Sequence, residues 1–174
     1  VGHSVIRWLE AGLPRGTASD GVFEIRGDFT KFPWAKPEDD GRFFISARVH
    51  DVTVDYVPSY RRRADKTFIP GEWPLLENIE GQLTFEGAGM TVEADSAQTH
   101  GVAVTSARAV IPVLSTPEVT LTVDGKAQDQ LGLMFDYVAA SPVRGYVKGA
   151  FDGTTATGPG DLSLHLEIPL LHAW

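Results

Sequence analysis

The chain has 174 residues, of which 43% are hydrophobic and 22% charged, and its formal net charge at pH 7 is −8. This length and composition predict one folded domain, and the acidic balance argues against nucleic acid as a partner, because phosphates repel a negative surface. The absence of cysteine excludes disulfides, zinc–thiolate sites and thiol nucleophiles.

The first predicted element is a short helix, and its pattern recurs near the end of the chain. Val5, Trp8 and Leu9 follow helical spacing after Ser4, which is a plausible N-cap, and Pro14 ends the pattern. In the later copy, Leu131, Met134, Phe135 and Val138 follow helical spacing after Asp129, and Pro142 ends the pattern. A basic–glycine pair and then an amphipathic strand follow each copy, which indicates an internal repeat.

Between and after these helices, alternation of apolar and polar residues with a period of two predicts β-strands with one dry and one wet face. In one long run the apolar positions are odd up to Val49 and even from Val52, which predicts a β-bulge near His50–Asp51. Residues 58–74 form a long irregular excursion. The predicted strands cover residues 23–29, 43–56, 79–86, 90–95, 102–111, 119–127 and 162–168.

The short turns between these strands, such as Glu86-Gly87-Ala88-Gly89, predict a mainly β fold: a curved antiparallel meander sheet with one or two short crossing helices. A sandwich, a barrel and an open curved sheet all fit an all-β pattern of this kind.

We interpret the chain as a single β segment of a larger protein, residues 1–174, since it begins with Val rather than Met; the absence of an apolar run long enough for a membrane helix leaves its compartment open. Within the chain, the repeat predicts a helix and a crossing segment that belong to a preceding unit at 1–16, and the main sheet at 20–128. A second helix and crossing follow at 129–145, and a strand that starts the next unit follows at 157–170.

The residue types that carry catalysis are present without a recognisable arrangement. None of the five histidines has the spacing of a metal site, and His50–Asp51 lies at the predicted bulge with no further ligand at a recognisable distance along the chain. Most acids occupy the polar positions of alternating strands, where solvent keeps their pKa ordinary. We therefore predict no catalytic residue, no metal and no cofactor. A glycan-cleaving site built from two of the acids is the least favoured interpretation.

Two loop features have both a structural and a binding interpretation. Arg61, Arg62 and Arg63 are a solvated loop, or a contact for lipid headgroups or an acidic partner. The aromatic residues of Phe32-Pro33-Trp34 and Trp73-Pro74 plug the ends of the sheet core, or they contact a ligand or a membrane interface.

Several motifs together resemble the central periplasmic region of the YhdP family, the large AsmA-like proteins of Gram-negative envelopes. The most distinctive is the segment from Trp73-Pro74-Leu75-Leu76 to Phe85, followed by Gly89-Met90. The others are Trp8-Leu9, Gly27-Asp28-Phe29 with Phe32-Pro33-Trp34, Gly41-Arg42-Phe43, and Phe135 to Ser141-Pro142.

This resemblance implies a non-catalytic segment of a bridge-like lipid transfer protein, anchored in the inner membrane and located in the periplasm. Its groove would carry phospholipid between the inner and outer membranes and support the outer-membrane permeability barrier, with flanking units of the same chain as neighbours. The alternative is an envelope scaffold or protein-binding module with a closed core and no lipid. The residues expected to line the groove are Phe43, Ile45, Ile79, Leu83, Phe85, Met90, Val92, Leu121, Val123 and Leu164.

Overall fold

A computed structural model describes residues 3–32, 34, 40–114 and 119–169. It confirms a mainly β fold, with seven antiparallel strands in one sheet and a few short helices. The elements are α1 (His3–Gly12), β1 (Arg15–Arg26), a 3-10 turn (Phe29–Lys31), β2 (Arg42–Val54), β3 (Leu76–Glu86), β4 (Gly89–Thr99), β5 (Val102–Ile111), β6 (Thr120–Gln130), α2 (Leu131–Ala140), α3 (Val143–Tyr146) and β7 (Pro159–Pro169).

The strand order in the sheet is the order in the chain, from β1 to β7, which confirms the predicted meander. Of the sandwich, the barrel and the open sheet that the alternation left possible, the structure has the open sheet, which is uncurled. Each strand pairs with its neighbours in sequence along most of its length, so the sheet widens sideways and no described connection brings β1 back to β7. Strands β1 and β7 are therefore the two edges of the described sheet.

A line of β-bulges crosses the first three strands. The register shifts in β1, β2 and β3 lie beside Asp20, Asp51 and Asn78, whose φ angles are +50°, +50° and +53°. Asp and Asn tolerate this left-handed region better than other non-glycine residues. The bulge predicted near His50–Asp51 is confirmed. At each bulge the residues that face the apolar side change from odd-numbered to even-numbered, or the reverse.

The limits of β1 differ from those predicted. The strand begins at Arg15, earlier than the apolar alternation shows, because its first half pairs with β2 through backbone groups. It ends at Arg26 rather than at Phe29, since Gly27 turns the chain with φ +119° and the Asp28 carboxylate accepts a 3.0 Å hydrogen bond from Thr30 N.

Helices and the excursion after β2 cover one end of the strands, which we call the helix end. The Asp55 N–H donates to Gly12 O at 2.8 Å, and Trp8 Nε1 donates to Tyr56 O at 3.2 Å, which fixes α1 on the end of β2. The hydroxyls of Tyr56 and Tyr137 lie 3.0 Å apart and join α2 to the same place. Both predicted helices therefore lie at one end of the sheet.

Loops cover the opposite end of the strands, which we call the turn end. Trp34 is buried there, and its Nε1 donates to Asp28 O at 2.9 Å. A Cβ on Gly41 would lie 2.3 Å from the Trp34 indole, so glycine is required beneath the ring. Leu114 packs against the adjacent core, and its N–H donates to Ala88 O at 2.8 Å.

Candidate functional site

The strand register places the apolar side chains of the seven strands on one face, which we call the apolar face. They form rows that cross the sheet perpendicular to the strands. One row is large (Phe23, Ile45, Phe85, Met90 and Ile111, continued by Leu121 and Ile168). The next is Ala47, Leu83, Val92, Ala109, Val123 and Leu166, and the third is Val49, Gly81, Ala94, Ala107, Gly125 and Leu164.

Burial on the apolar face falls from the centre of the sheet to its edges. Ile111 and Leu121 are only 2% and 4% exposed, whereas Phe23 on β1 is 62% exposed and Leu164 on β7 is 42% exposed. A central strand has side-chain neighbours on both sides, and an edge strand has them on one side only. The apolar face therefore has a packed centre and two accessible margins.

The ten residues predicted to line a groove divide along this gradient. Ile79, Met90 and Leu121 are buried in two core clusters, with Leu83, Phe85, Val92 and Val123 partly buried against them. Phe43 and Ile45 are half-buried on β2, and Leu164 is exposed. The register brings the ten onto the apolar face, and their contact with a ligand stays a prediction.

The three arginines lie in the excursion at the helix end and differ from one another. The Arg62 guanidinium lies 4.1 Å from the centre of the Phe68 ring and 3.9 Å from the Glu10 carboxylate. Arg61 and Arg63 are exposed. Headgroup or partner contact therefore stays a prediction, and Arg61 and Arg63 are the two best placed for it.

Two of the aromatic residues singled out by the sequence pack into the ends of the sheet. Trp34 is buried at the turn end, where the Phe32 ring meets it edge-on at 5.3 Å. Trp73 is half-buried at the helix end, 5.8 Å from the Tyr56 ring. Phe29 and Phe32 remain 66% and 49% exposed beside Trp34, so the turn end also presents an aromatic surface to solvent.

The excursion at the helix end is held by a buried carboxylate. Asp55 is 4% exposed and accepts hydrogen bonds from Gly71 N at 2.7 Å and Val57 N at 3.2 Å. Burial raises the pKa of Asp55, and these two N–H groups oppose the rise. Burial also raises the pKa values of Tyr56 and Tyr137, which keeps both hydroxyls protonated.

Sequence reasoning missed a polar network on the opposite face, because its members come together only through the register. Ser19 Oγ lies 2.9 Å from His50 Nε2, and His50 Nδ1 lies 2.8 Å from a Glu80 oxygen. The order serine, histidine, carboxylate is that of a hydrolase triad. Here the group lies on the exposed polar face, and the Ser19 hydroxyl also donates to Asp20 at 2.9 Å.

Two further observations concern metals and membranes. Within the described ranges, no three His, Asp or Glu side chains gather in a group suited to a metal ion. No helix among the described residues is long and apolar enough to cross a membrane.

Comparison with known proteins gives a family and one curated relative. The family model described as "YhdP protein" matches residues 1–173. The chain is 23% identical over 171 residues to the intermembrane phospholipid transporter YhdP of Escherichia coli strain K12. That match covers 98% of this chain and 12% of the relative, so the chain spans about an eighth of the relative's length. No solved structure matches the chain.

Proposed function

Because the chain belongs to the YhdP family, we propose that it is a non-catalytic periplasmic segment whose apolar face forms part of a hydrophobic path for phospholipid. The family and the name of the E. coli relative support a role in phospholipid transport. In this proposal the full-length protein is anchored in the inner membrane, and its path carries lipid between the inner and outer membranes and so supports the outer-membrane permeability barrier.

The observation that carries the proposal is the continuous apolar face of a one-layer sheet. One row runs across all seven strands and the other two run from β2 to β7, and the margins are open: Phe23, Leu162 and Leu164 are 62%, 47% and 42% exposed. Each methylene of an acyl chain gains about 0.8 kcal/mol on leaving water. A chain lying along a row would therefore be held strongly without any polar contact, as suits a path that carries lipid.

Photo-crosslinking within one strand tests this directly. A photoreactive residue at Val123 lies on the apolar face, and one at Thr122 or Asp124 lies on the opposite face of the same strand, so the latter two are matched controls. We expect phospholipid adducts at Val123 and at Leu164 on β7, and none at the controls. Equal labelling on both faces, or none on either, would contradict the proposal.

A charge placed on the margin tests transport without unfolding the sheet. Leu164→Glu changes a side chain that is 42% exposed, so we expect the free energy of unfolding to change by about 0.5 kcal/mol or less. The same charge at Leu121 would be buried and unpaired, and would unfold the chain. In cells, Leu164→Glu in the full-length protein should weaken the outer-membrane barrier, and Ser163→Glu on the polar face should leave it intact.

The alternative is a scaffold or protein-binding module with a filled core, and the burial of the central clusters favours it. Met90, Ile111, Val119 and Leu121 are 8% exposed or less, so the centre of the face is already packed by its own side chains. Native mass spectrometry separates the two functions. A lipid path predicts co-purified phospholipid on the wild-type chain, whereas a filled module predicts a lipid-free mass and a protein partner in pull-downs.

We further propose that flanking units of the same chain continue the sheet at its two edges. Strands β1 and β7 each have one unpaired side among the described residues, and the curated relative is about eight times longer than the matched region. In the same assembly, Arg61 and Arg63 would meet lipid headgroups or an acidic partner. Charge reversal at both arginines, tested for binding to vesicles containing anionic phospholipid, checks this role.

A further inference from the structure

A four-residue polar network crosses the first three strands beside the bulges. His50 on β2 reaches Glu80 on β3 through Nδ1 at 2.8 Å and Ser19 on β1 through Nε2 at 2.9 Å. Ser19 Oγ in turn donates to Asp20 Oδ2 at 2.9 Å. These contacts attach the edge strand β1 to the sheet in addition to its backbone pairing with β2 and the ion pairs Arg15–Asp51 and Glu24–Arg42.

The donors and acceptors of this network determine which protonation form of the His50 imidazole can make all of its hydrogen bonds. Asp51 N–H donates to Glu80 at 2.9 Å, and this bond, with that from His50, lowers the pKa of Glu80. Glu80 is then a carboxylate that only accepts, so Nδ1 must carry a hydrogen. Because Ser19 gives its one hydrogen to Asp20, Nε2 must also donate. Only the imidazolium makes all of these bonds at once.

A second histidine has a similar position at the other edge. His165 on β7 places Nδ1 2.7 Å from Asp124 Oδ1 on β6, and its Nε2 lies 3.9 Å from the Glu167 carboxylate. The hydrogen bond to Asp124 and the charge of that carboxylate raise the pKa of His165. Here two acids face the two ring nitrogens, whereas at His50 one nitrogen faces an acid and the other faces Ser19.

The cations near these histidines are mostly engaged with acids of their own. Around His50, Arg15 lies 3.0 Å from Asp51 and Arg48 lies 2.9 Å from Asp95. The charged groups closest to His50 along β1, β2 and β3 are Arg15, Asp20, Arg48, Asp51 and Glu80, and Arg48 in turn pairs with Asp95 on β4.

Around His165 the acids also outnumber the free cations. Arg108 on β5 is opposite Asp124 in the register and lies 3.4 Å from Glu93, so its charge is shared. Lys126 is the cation on β6, and it is opposite Ser163. The charged groups near His165 are Arg108, Asp124, Lys126 and Glu167.

We propose that side-chain contacts of two histidines attach the edge strands to the sheet in a proton-dependent way. The contacts of His50 hold β1 and those of His165 hold β7, and each set is stronger when the imidazole is protonated. We call these two sets of contacts the histidine clasps. Loss of the imidazole proton removes one hydrogen-bond donor from each set of contacts, so the edges loosen as the pH rises. The clasps lie on the polar face and need no lipid. They concern the strands where neighbouring units would join, and so make that junction sensitive to pH.

Hydrogen exchange of the 174-residue chain at pH 5.5 and pH 8.0 tests the clasps. Protection factors already correct for the intrinsic effect of pH on exchange, and the amides of β4 at the sheet centre serve as an internal reference. On going to pH 8.0 we expect the protection of β1 and β7 relative to β4 to fall about two- to tenfold, the range for loss of one hydrogen bond.

Four variants assign the effect. His50→Gln should leave β1 weakly protected at both pH values without changing β7, and His165→Gln should do the reverse. His100→Asn, in the turn between β4 and β5, is the control and should keep both pH dependences. Ser19→Ala tests the same clasp without touching a histidine and should weaken β1 alone. A pH-independent ratio in the wild-type chain, or unchanged pH dependence of β1 in His50→Gln, would overturn the proposal whether or not the chain binds phospholipid.

Discussion

Asp55 shows how one residue joins three parts of the helix end. Its backbone N–H holds the last carbonyl of α1, and its carboxylate holds two N–H groups of the excursion between β2 and β3. At 4% exposure, water cannot replace these bonds. A carboxylate is tolerated there because its oxygens accept two backbone hydrogen bonds, which offset part of the desolvation.

Replacement of Asp55 should therefore destabilise the chain. Asp55→Ala leaves the N–H groups of Val57 and Gly71 without their acceptor, which costs about 1–3 kcal/mol in the free energy of unfolding. Asp65→Ala is the control, since Asp65 also accepts bonds from a nearby residue, Thr67, but is exposed. Urea denaturation of both variants measures the difference, and equal losses would show that burial of Asp55 is unimportant.

The titration of His165 gives a second prediction at the scale of a residue. Because its pKa is raised above the ordinary 6.5, the contact with Asp124 stabilises the fold fully below pH 6.5, and that stability is lost as the pH rises through the raised pKa. NMR titration of the His165 ring should show a midpoint above 6.5. Asp124→Asn should lower the midpoint, and Asp161→Asn, further along the same sheet edge, should not.

Among the elements, neighbouring strands approach two glycines to different degrees, so that glycine is required at Gly81 and not at Gly125. A Cβ on Gly81 would lie 2.2 Å from Glu93 O and 2.9 Å from Ala94 Cα, both backbone atoms of β4. A Cβ on Gly125 would meet Ser106 O at 3.9 Å and the Ala107 Cβ at 4.0 Å, which is ordinary contact. Both glycines belong to the same row of the apolar face.

This difference predicts opposite outcomes for the same substitution. Gly81→Ala must push β3 and β4 apart and should cost about 1–3 kcal/mol, as overpacking does. Gly125→Ala should leave stability unchanged or raise it by up to about 1 kcal/mol, because alanine restricts the unfolded chain more than glycine does. The free energies of unfolding from chemical denaturation check both, and a similar loss in the two variants would contradict the structure.

The sequence allowed the strands and the apolar face to be predicted, because alternation with a period of two records which side chains avoid water. The bulge beside Asp51 was also predictable, since several apolar residues lie on each side of it. The bulges beside Asp20 and Asn78 were not predictable from the alternation. Before each bulge the apolar pattern rests on one residue, Ala18 in β1 and Leu76 in β3, which is too little to reveal a change of parity.

Burial within the face could not be predicted in the same way. Leu121 and Leu164 have the same alternation in sequence, yet they are 4% and 42% exposed. The difference depends on how many strands flank each residue, which is set by the sheet and not by local pattern. The contacts of His50 with Ser19 and Glu80 were missed for the same reason, since they depend on the register of three strands.

For the whole molecule, the open sheet has two accessible edges that carry apolar side chains. Val22 and Phe23 on β1 are 55% and 62% exposed, and Leu162 and Leu164 on β7 are 47% and 42% exposed. An edge of this kind offers unpaired backbone groups and an apolar margin to another strand. The charged bulge beside Asp20 and the prolines at both ends of β7 limit such pairing but leave the middle of each edge available.

We therefore expect the isolated 174-residue chain to associate with itself in a concentration-dependent way through these edges. Phe23→Lys and Leu164→Lys should each reduce association, because a charge on an edge strand opposes strand pairing. Each should change the free energy of unfolding by only about 0.5 kcal/mol, since both side chains lie at the exposed margins of the sheet. Tyr146→Lys, at a residue 79% exposed on α3, is the control and should associate like the wild-type chain. Light scattering after size exclusion measures the mass, and a wild-type chain that stays monomeric at high concentration would show that the edges are closed to other strands.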